Sequence, residues 1–558
     1  MKKIKLAWVT PTTKKTSVSE FSCSVVKRLS SYATIDIVTF DDHFSEEFSD
    51  IPNKKINIKD LNLFNSLDYN YIIYNFGNNW ENHGQIIRMS SRYPGVVIFH
   101  DASMHHVVAY YCFEKFKDPS LYGNIMIGEY GDLGASVLID SEIQSNAPKY
   151  GPWDHNCGPD FGFLEFFSKG SLGYVVHSKY TLSKFNHIDV PVHLTRLPGD
   201  EKGLWDMSEI KEWQALFLKK NKINFCVMGF LNPQKNIDKA IDYIDYLTRA
   251  GLSCELLVLG GDNSNYYEII KNYAKRKGLD GKVNFKINLN RKDFNIAKKE
   301  VDAYLSFRYP NYEGCSAAAF EAMQTGRPLI TYRAGAFSDI DDDSVIFVEQ
   351  SESLRNSAEL LAKNFISNKE ELITTGLSGR SYSLAVDSQK YANEFWLYIK
   401  SLPAVKDFKS YLPELALHES DFLLHSPKYI FFSDDPSLQL GLASVIKSFS
   451  NTFDNELVVN ELKKIYTDDP LKYWNVIGLI KKIASVEFFS IDFKIFKDDL
   501  HLLFDVFKVL DLIKNDQMFE KFLSALNVPC KDDFNFRALR DRHAWCEKLK
   551  ISISNKII

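Results

Sequence analysis

Short apolar runs alternating with amphipathic helical stretches fill about the first 400 residues, and they do so in two successive series. The first series holds Lys5-Leu-Ala-Trp-Val-Thr10, a helical stretch from Ser19 to Ser31, Ile35-Asp-Ile-Val-Thr-Phe40, Tyr71-Ile-Ile-Tyr-Asn75 and Gly95-Val-Val-Ile-Phe-His100. The second holds Asn224-Phe-Cys-Val-Met228, Glu255-Leu-Leu-Val-Leu259, Val283-Asn-Phe-Lys286, Ala303-Tyr-Leu-Ser306 and Pro328-Leu-Ile-Thr331. Strand alternating with helix implies a parallel sheet whose ligands bind beyond the strand C-termini. The expectation is therefore two α/β units, residues 1–200 and 201–402, divided near Pro198 to Trp205. From about Pro403 aromatic and charged residues fall at helical spacing instead, so residues 403–558 read as a separate, mostly helical region.

Composition narrows the function classes. A chain of 558 residues with 45% hydrophobic content has material for about two to four ordinary domains. A net charge of -5 leaves no nucleic-acid footprint. No apolar run approaches the roughly 18 to 20 residues that span a bilayer. The opening Met-Lys-Lys-Ile-Lys-Leu enters a strand pattern at once, unlike a signal peptide, so the expectation is a cytosolic protein. Eight cysteines without a CxxC pair argue against a zinc site or disulfide framework, and thirteen histidines form no metal-spaced cluster. His105 and His106 adjoin, but neighbours on a helix diverge by about 100°, so no metal is expected there.

The chemistry concentrates in Glu313-Gly-Cys-Ser-Ala-Ala-Ala-Phe-Glu321, two carboxylates eight positions apart. Val301 to Phe307 reads as a buried strand that stops at the loop Arg308-Tyr-Pro-Asn-Tyr312, which places Glu313 beyond a strand end. Ser316 to Thr325 reads as a short helix that Gly326-Arg327-Pro328 terminates. Free amides at Gly314, Cys315 and Ser316 would then point out of a helix N-terminus, an environment that binds phosphate. Glu321 lies about 9 Å further along the axis. Two hydroxyl acceptors with an anion cradle between them outline a nucleotide sugar; the plainer reading is a capped amphipathic helix with two solvated glutamates.

Met228-Gly-Phe-Leu-Asn-Pro-Gln-Lys235-Asn236, Leu256-Leu-Val-Leu-Gly-Gly261 and Glu313 to Glu321 follow one another in an order that resembles the C-terminal half of family 4 glycosyltransferases of the GT-B fold. Upstream, Tyr74-Asn-Phe-Gly-Asn-Asn79, Tyr93-Pro-Gly-Val-Val-Ile-Phe-His-Asp101, His105-His106 and Val175-Val-His-Ser178, with Arg308-Tyr-Pro310 downstream, are similar to members that act on bacterial surface polysaccharides. The resemblance covers roughly residues 1–400. It implies two Rossmann-like domains facing across a cleft, the first on the acceptor side and the second binding the nucleotide sugar.

The resemblance also implies roles for particular residues. Lys235 would pair with the donor diphosphate beside Gly229, Glu313 would accept hydroxyls of the transferred sugar, and Glu321 would hold the ribose diol. Gly314, Cys315 and Ser316 would complete the donor site. His100, with Glu313 the catalytic candidate, would face the reacting centre from the first half, with Asp101 and His105 on the acceptor side. Two departures stand out: Phe230 occupies the place of an arginine that contacts the diphosphate, and Thr16-Ser17-Val18 the place of a glycine in the first strand-to-helix loop. Arg308 is a replacement cation or a salt-bridged structural arginine.

The implied activity is sugar transfer from a nucleotide-sugar donor to a glycan or lipid-linked glycan, with retention of configuration, no metal and no cofactor. A degenerate GT-B subunit that scaffolds a partner enzyme, and a GT-B epimerase or phosphorylase, remain alternatives. Residues 111–170, with Met126 to Gly131 and Trp153 to Gly158, are candidates for acceptor recognition or an irregular cap over the sheet edge. Asn455 to Lys482 and Asp499 to Phe522 predict amphipathic helices suited to their own core, to a membrane surface at the inner face of the plasma membrane, or to a partner enzyme.

Overall fold

The computed structural model describes residues 4–402, apart from residues 14–16, 50, 52, 59–68, 93–94, 116–121, 123–124, 127–129, 131–157, 165–170, 186–189, 200–205, 263–265 and 350–352. The tail 403–558, most of the candidate acceptor segment and much of the expected domain boundary lie outside the described residues.

Two parallel sheets build the molecule. The first contains β1 (Lys5–Val9), β2 (Thr34–Thr39), β3 (Lys54–Asn57), β4 (Tyr71–Phe76), β5 (Val96–Phe99), β6 (Gly173–Val176) and β7 (Val192–Leu194) in the order β3-β2-β1-β4-β5-β6-β7. The second contains β8 (Lys222–Met228), β9 (Ser253–Gly260), β10 (Val283–Ile287), β11 (Ala303–Ser306), β12 (Leu329–Tyr332) and β13 (Ile346–Val348) in the order β10-β9-β8-β11-β12-β13. Every ladder is parallel, with Leu6 opposite both Ile35 and Tyr71, and Phe225 opposite both Leu256 and Ala303. Helices cover both faces of such sheets, so the central strands read as continuous apolar runs, and all residues of β4 and β5 are buried. The result is two parallel α/β units, as the alternation of strand and helix implies. Strands β3, β6, β7 and β13 are not among the expected strands; β3, β7 and β13 are edge pieces of only three or four residues, and β6 is a four-residue internal strand that opens on Gly173.

The end of the described chain returns to the first half. The helix Ser388–Ser401 packs on Ser17–Leu29, with Phe395 5.7 Å from the Trp8 ring and Tyr391 5.3 Å from Phe21. Tyr71 Oη donates to the Leu402 carbonyl at 3.1 Å, and Gly199 N donates to Val386 O at 2.8 Å where the two crossing segments meet. Residues 388–402, numbered with the second unit, thus belong to the core of the first.

In each sheet the strand order reverses beside the first strand, between β1 and β4 and between β8 and β11. Loops leave such a switch point in opposite directions and open a crevice at the strand C-termini. His100 and Asp101 follow β5, Asn78 follows β4, Gly229 to Lys235 follow β8, and Arg308 to Glu313 follow β11. The fold therefore delivers His100, Asp101, Gly229, Lys235, Arg308, Glu313, Cys315 and Glu321 to one cleft. Among the described residues no helix is long and apolar enough to cross a membrane.

Candidate functional site

A cleft of about 1540 Å³ between the halves is lined by His100, Asp101, His106 and His177 from the first half and by Gly229, Phe230, Lys235, Arg308, Glu313, Cys315 and Glu321 from the second. Its two loops from the second half are tied together. Asn236 Nδ2 donates to the carbonyls of Phe307 and Tyr309 at 2.9 and 3.0 Å, and Tyr309 N donates to Gln234 O at 3.0 Å. The Lys235 loop and the Arg308 loop thus move as one body.

Lys235 ends a turn over Pro233–Lys235 and donates to Met228 O at 3.0 Å. Gly229, at φ +109°, makes this possible, since a Cβ there would stand 2.8 Å from the Lys235 ammonium. Burial, with the nearby Arg308 adding and Glu313 opposing, pushes Lys235 down to about 7. Phe230 stays 48% exposed beside it.

Glu313 Oε1 pairs with Arg308 Nη2 at 2.9 Å, and the Arg308 side chain is only 8% exposed. Arg308 thus carries the salt bridge of the second reading and at the same time lines the cleft. The other oxygen, Glu313 Oε2, is buried with no hydrogen-bond partner among the described residues. Asn232 Oδ1 and His177 Nε2, which belong to cleft-lining residues, are in the same condition. Buried acceptors left unpaired are rare enough that each calls for a ligand or a water. Glu321, on the helix Ala317–Gln324 capped by Ser316 Oγ, pairs with Lys298 Nζ at 2.6 Å. The Lys298 side chain is 5% exposed, and no feature of its spacing distinguished it in the sequence.

The halves touch through main chain at this point. Asp101 and Glu313 form an antiparallel bridge, in which Ala102 N donates to Tyr312 O at 2.7 Å and Gly314 N to His100 O at 3.0 Å. The expectation of a free Gly314 amide is thereby corrected: the first half supplies its partner. A Cβ on Gly314 would stand 3.0 Å from His100 O and 3.2 Å from Thr181 Oγ1. Gly314→Ala should push the two strands of this bridge apart by a few tenths of an ångström and slow turnover by up to about a hundredfold, the order expected of misaligned reacting groups; unchanged turnover would contradict it.

On the wall formed by the first half, Asn75 Nδ2 donates to Val9 O, which leaves Asn75 Oδ1 to accept from His100 Nε2 at 3.0 Å. The His100 ring thus keeps Nδ1 as its lone-pair nitrogen. Burial, then His177 and His83, hold its pKa well below the usual value, so it is neutral. Asp101 Oδ2 accepts from Asn78 N at 2.6 Å. Burial pushes Asp101 up to about 7, with the Asn78 amide and Arg308 opposing and Glu313 adding. His105 is a correction: its ring is fully buried and Nε2 lies 2.7 Å from Tyr122 Oη, turned away from the cleft. One position on, about 100° round the helix, His106 lines the cleft instead. No group of three or more His, Cys, Asp or Glu that could hold a metal occurs among the described residues.

A search of curated proteins finds none that matches this chain. Solved structures similar to it include Anabaena HepE in complex with UDP-glucose, at 13% identity and a TM-score of 0.48 over 72% of this chain and 100% of that one. Sucrose-phosphate synthase from Thermosynechococcus elongatus is similar at 13% identity and 0.48, over 71% and 98% of the two chains. WaaG, a glycosyltransferase involved in lipopolysaccharide biosynthesis, is similar at 13% and 0.44, over 70% and 99%. Residues 209–372, which hold the second sheet together with Lys235, Glu313 and Glu321, match the family model of glycosyl transferases group 1.

Proposed function

We propose that the chain moves a sugar from a nucleotide-sugar donor to a glycan or lipid-linked glycan acceptor, with retention and without a metal, in bacterial surface polysaccharide synthesis. The observation that carries this reading is Glu313: one oxygen is fixed by Arg308 while Oε2 is buried without a partner among the described residues, in a cleft shared by both halves. A carboxylate so placed accepts a hydroxyl at no cost in reorganisation. Glu321, steadied by Lys298, would take the ribose diol. The match over residues 209–372 supports placing the donor on the second half.

In this mechanism Lys235 and the amides of Cys315 and Ser316 hold the leaving phosphate. The bond from the anomeric carbon to phosphate oxygen breaks as the acceptor oxygen bonds to that carbon on the same face. The acceptor proton passes to the departing phosphate oxygen, so no side-chain nucleophile is required. Neutral His100 and Asp101 position the donor sugar and acceptor from the opposite wall. Phe230 brings no charge, which leaves Lys235 as the cation of the β8 loop. Catalysis then rests on positioning and electrostatic stabilisation.

The test is incubation with a panel of nucleotide sugars and glycan acceptors, with products read by proton NMR. The expected result is turnover that requires an acceptor and gives an α-linked product from an α-linked donor. A β-linked product would remove retention, and donor binding without turnover on any acceptor would favour the scaffolding alternative.

A further inference from the structure

One line of hydrogen bonds crosses the cleft from the Lys235 loop to the buried carboxylate of the other half. Gln234, the neighbour of Lys235, places Nε2 2.9 Å from His106 Nε2. His106 Nδ1 lies 2.9 Å from Asn78 Nδ2. Asn78 Oδ1 accepts from Val107 N at 3.2 Å, which assigns Nδ2 as the donor to His106 Nδ1. His106 Nε2 then carries the proton, and the Gln234 amide satisfies it by presenting its oxygen. Asn78 N completes the line at Asp101 Oδ2, 2.6 Å away. The His106 ring also meets Tyr312 of the second half edge-on at 5.0 Å, and it is the Tyr312 carbonyl that accepts from Ala102 N.

We propose that His106 is a positioning residue that carries the placement of the Gln234–Lys235 loop to Asp101, so that the two walls of the cleft align together. The proposal rests on the donor-site reading above. Three contacts suit His106 to this role. Gln234 and Tyr312 belong to the two loops of the second half that Asn236 ties together, and Asn78 belongs to the loop that holds Asp101. When the halves part, the Gln234 and Tyr312 contacts are lost together. The donor itself binds to the second half, so losing His106 should spare donor binding and slow the chemical step. A hydrogen-bonded line of this kind couples its members, and a double-mutant cycle measures that coupling.

The experiment compares His106→Ala, Gln234→Leu, the double variant and His106→Gln, whose amide can accept from Asn78 and donate to Gln234. Calorimetry with UDP, GDP and ADP reads the donor site, and turnover at saturating donor reads the alignment. Each single variant should lose about tenfold in turnover with nucleotide affinity within about threefold of wild type, the double variant should be no worse than the singles, and His106→Gln should recover most of the loss. Additive losses, equal losses in binding and turnover, or wild-type turnover in His106→Ala would overturn the proposal. If the wild-type protein binds none of the three nucleotides, the donor reading fails by itself. Hydrogen exchange without ligand then decides the coupling: faster exchange at residues 229–235 in His106→Ala, a change made in the other half, sustains it, and unchanged exchange overturns it.

Discussion

Glu313→Ala should lower the unfolding free energy by about 3–5 kcal/mol, because it leaves the Arg308 guanidinium buried and unpaired. Glu313→Gln should cost much less, since the amide oxygen still accepts from Arg308 Nη2. Both variants should lose turnover, because a hydrogen bond to a charged group contributes about 1.5–3 kcal/mol, or roughly ten- to hundredfold in rate. The glutamine variant therefore separates the two roles of one side chain. Urea unfolding and turnover measured on the same samples read them independently. If Glu313→Gln turns over like the wild type, the carboxylate serves only as the counter-ion of Arg308 and the sugar assignment is lost.

Lys235→Ala should weaken nucleoside diphosphate binding by about a hundredfold, as expected for losing a buried charge-assisted contact. The lysine also sets a pH dependence. Lys235 titrates at about 7 in the empty cleft, and a bound diphosphate stabilises its ammonium form. Binding then takes up a proton above pH 7. Affinity should be highest below pH 7 and fall by up to about tenfold per pH unit above it. Asp101 also titrates at about 7, and its ionisation repels a diphosphate, so it bends the profile in the same direction. Lys235→Arg removes the lysine contribution while keeping the charge, and Asp101→Asn removes the other. A Lys235→Arg profile that falls in parallel with the wild type would contradict the role assigned to Lys235.

The strand ends that build the cleft were legible because the central strands are buried on both faces and show as unbroken apolar runs. Glu313 could be placed for the same reason: the β11 run stops at a proline loop, and Ser316 and Gly326 mark the following helix at both ends. What the cleft does to those residues was not legible. A helix N-terminus can be read from a serine and a run of alanines, but the partner of the Gly314 amide lies in the other half of the chain. Lys298 sits on a charged amphipathic helix, where no spacing rule distinguishes the lysine that meets Glu321 from its neighbours. His105 and His106 show the limit most plainly. Helical geometry says that only one of two adjacent residues faces the cleft, and the choice depends on packing against Tyr122, which local sequence does not encode.

The most direct test of the donor site is saturation-transfer NMR of the wild-type protein and Glu321→Ala against a set of uridine, guanosine and adenosine diphosphate sugars. The predicted result is saturation of base, ribose and sugar protons in one nucleotide sugar with the wild type, lost in Glu321→Ala. No transfer to any nucleotide sugar, or ribose signals that persist unchanged in Glu321→Ala, would contradict the account.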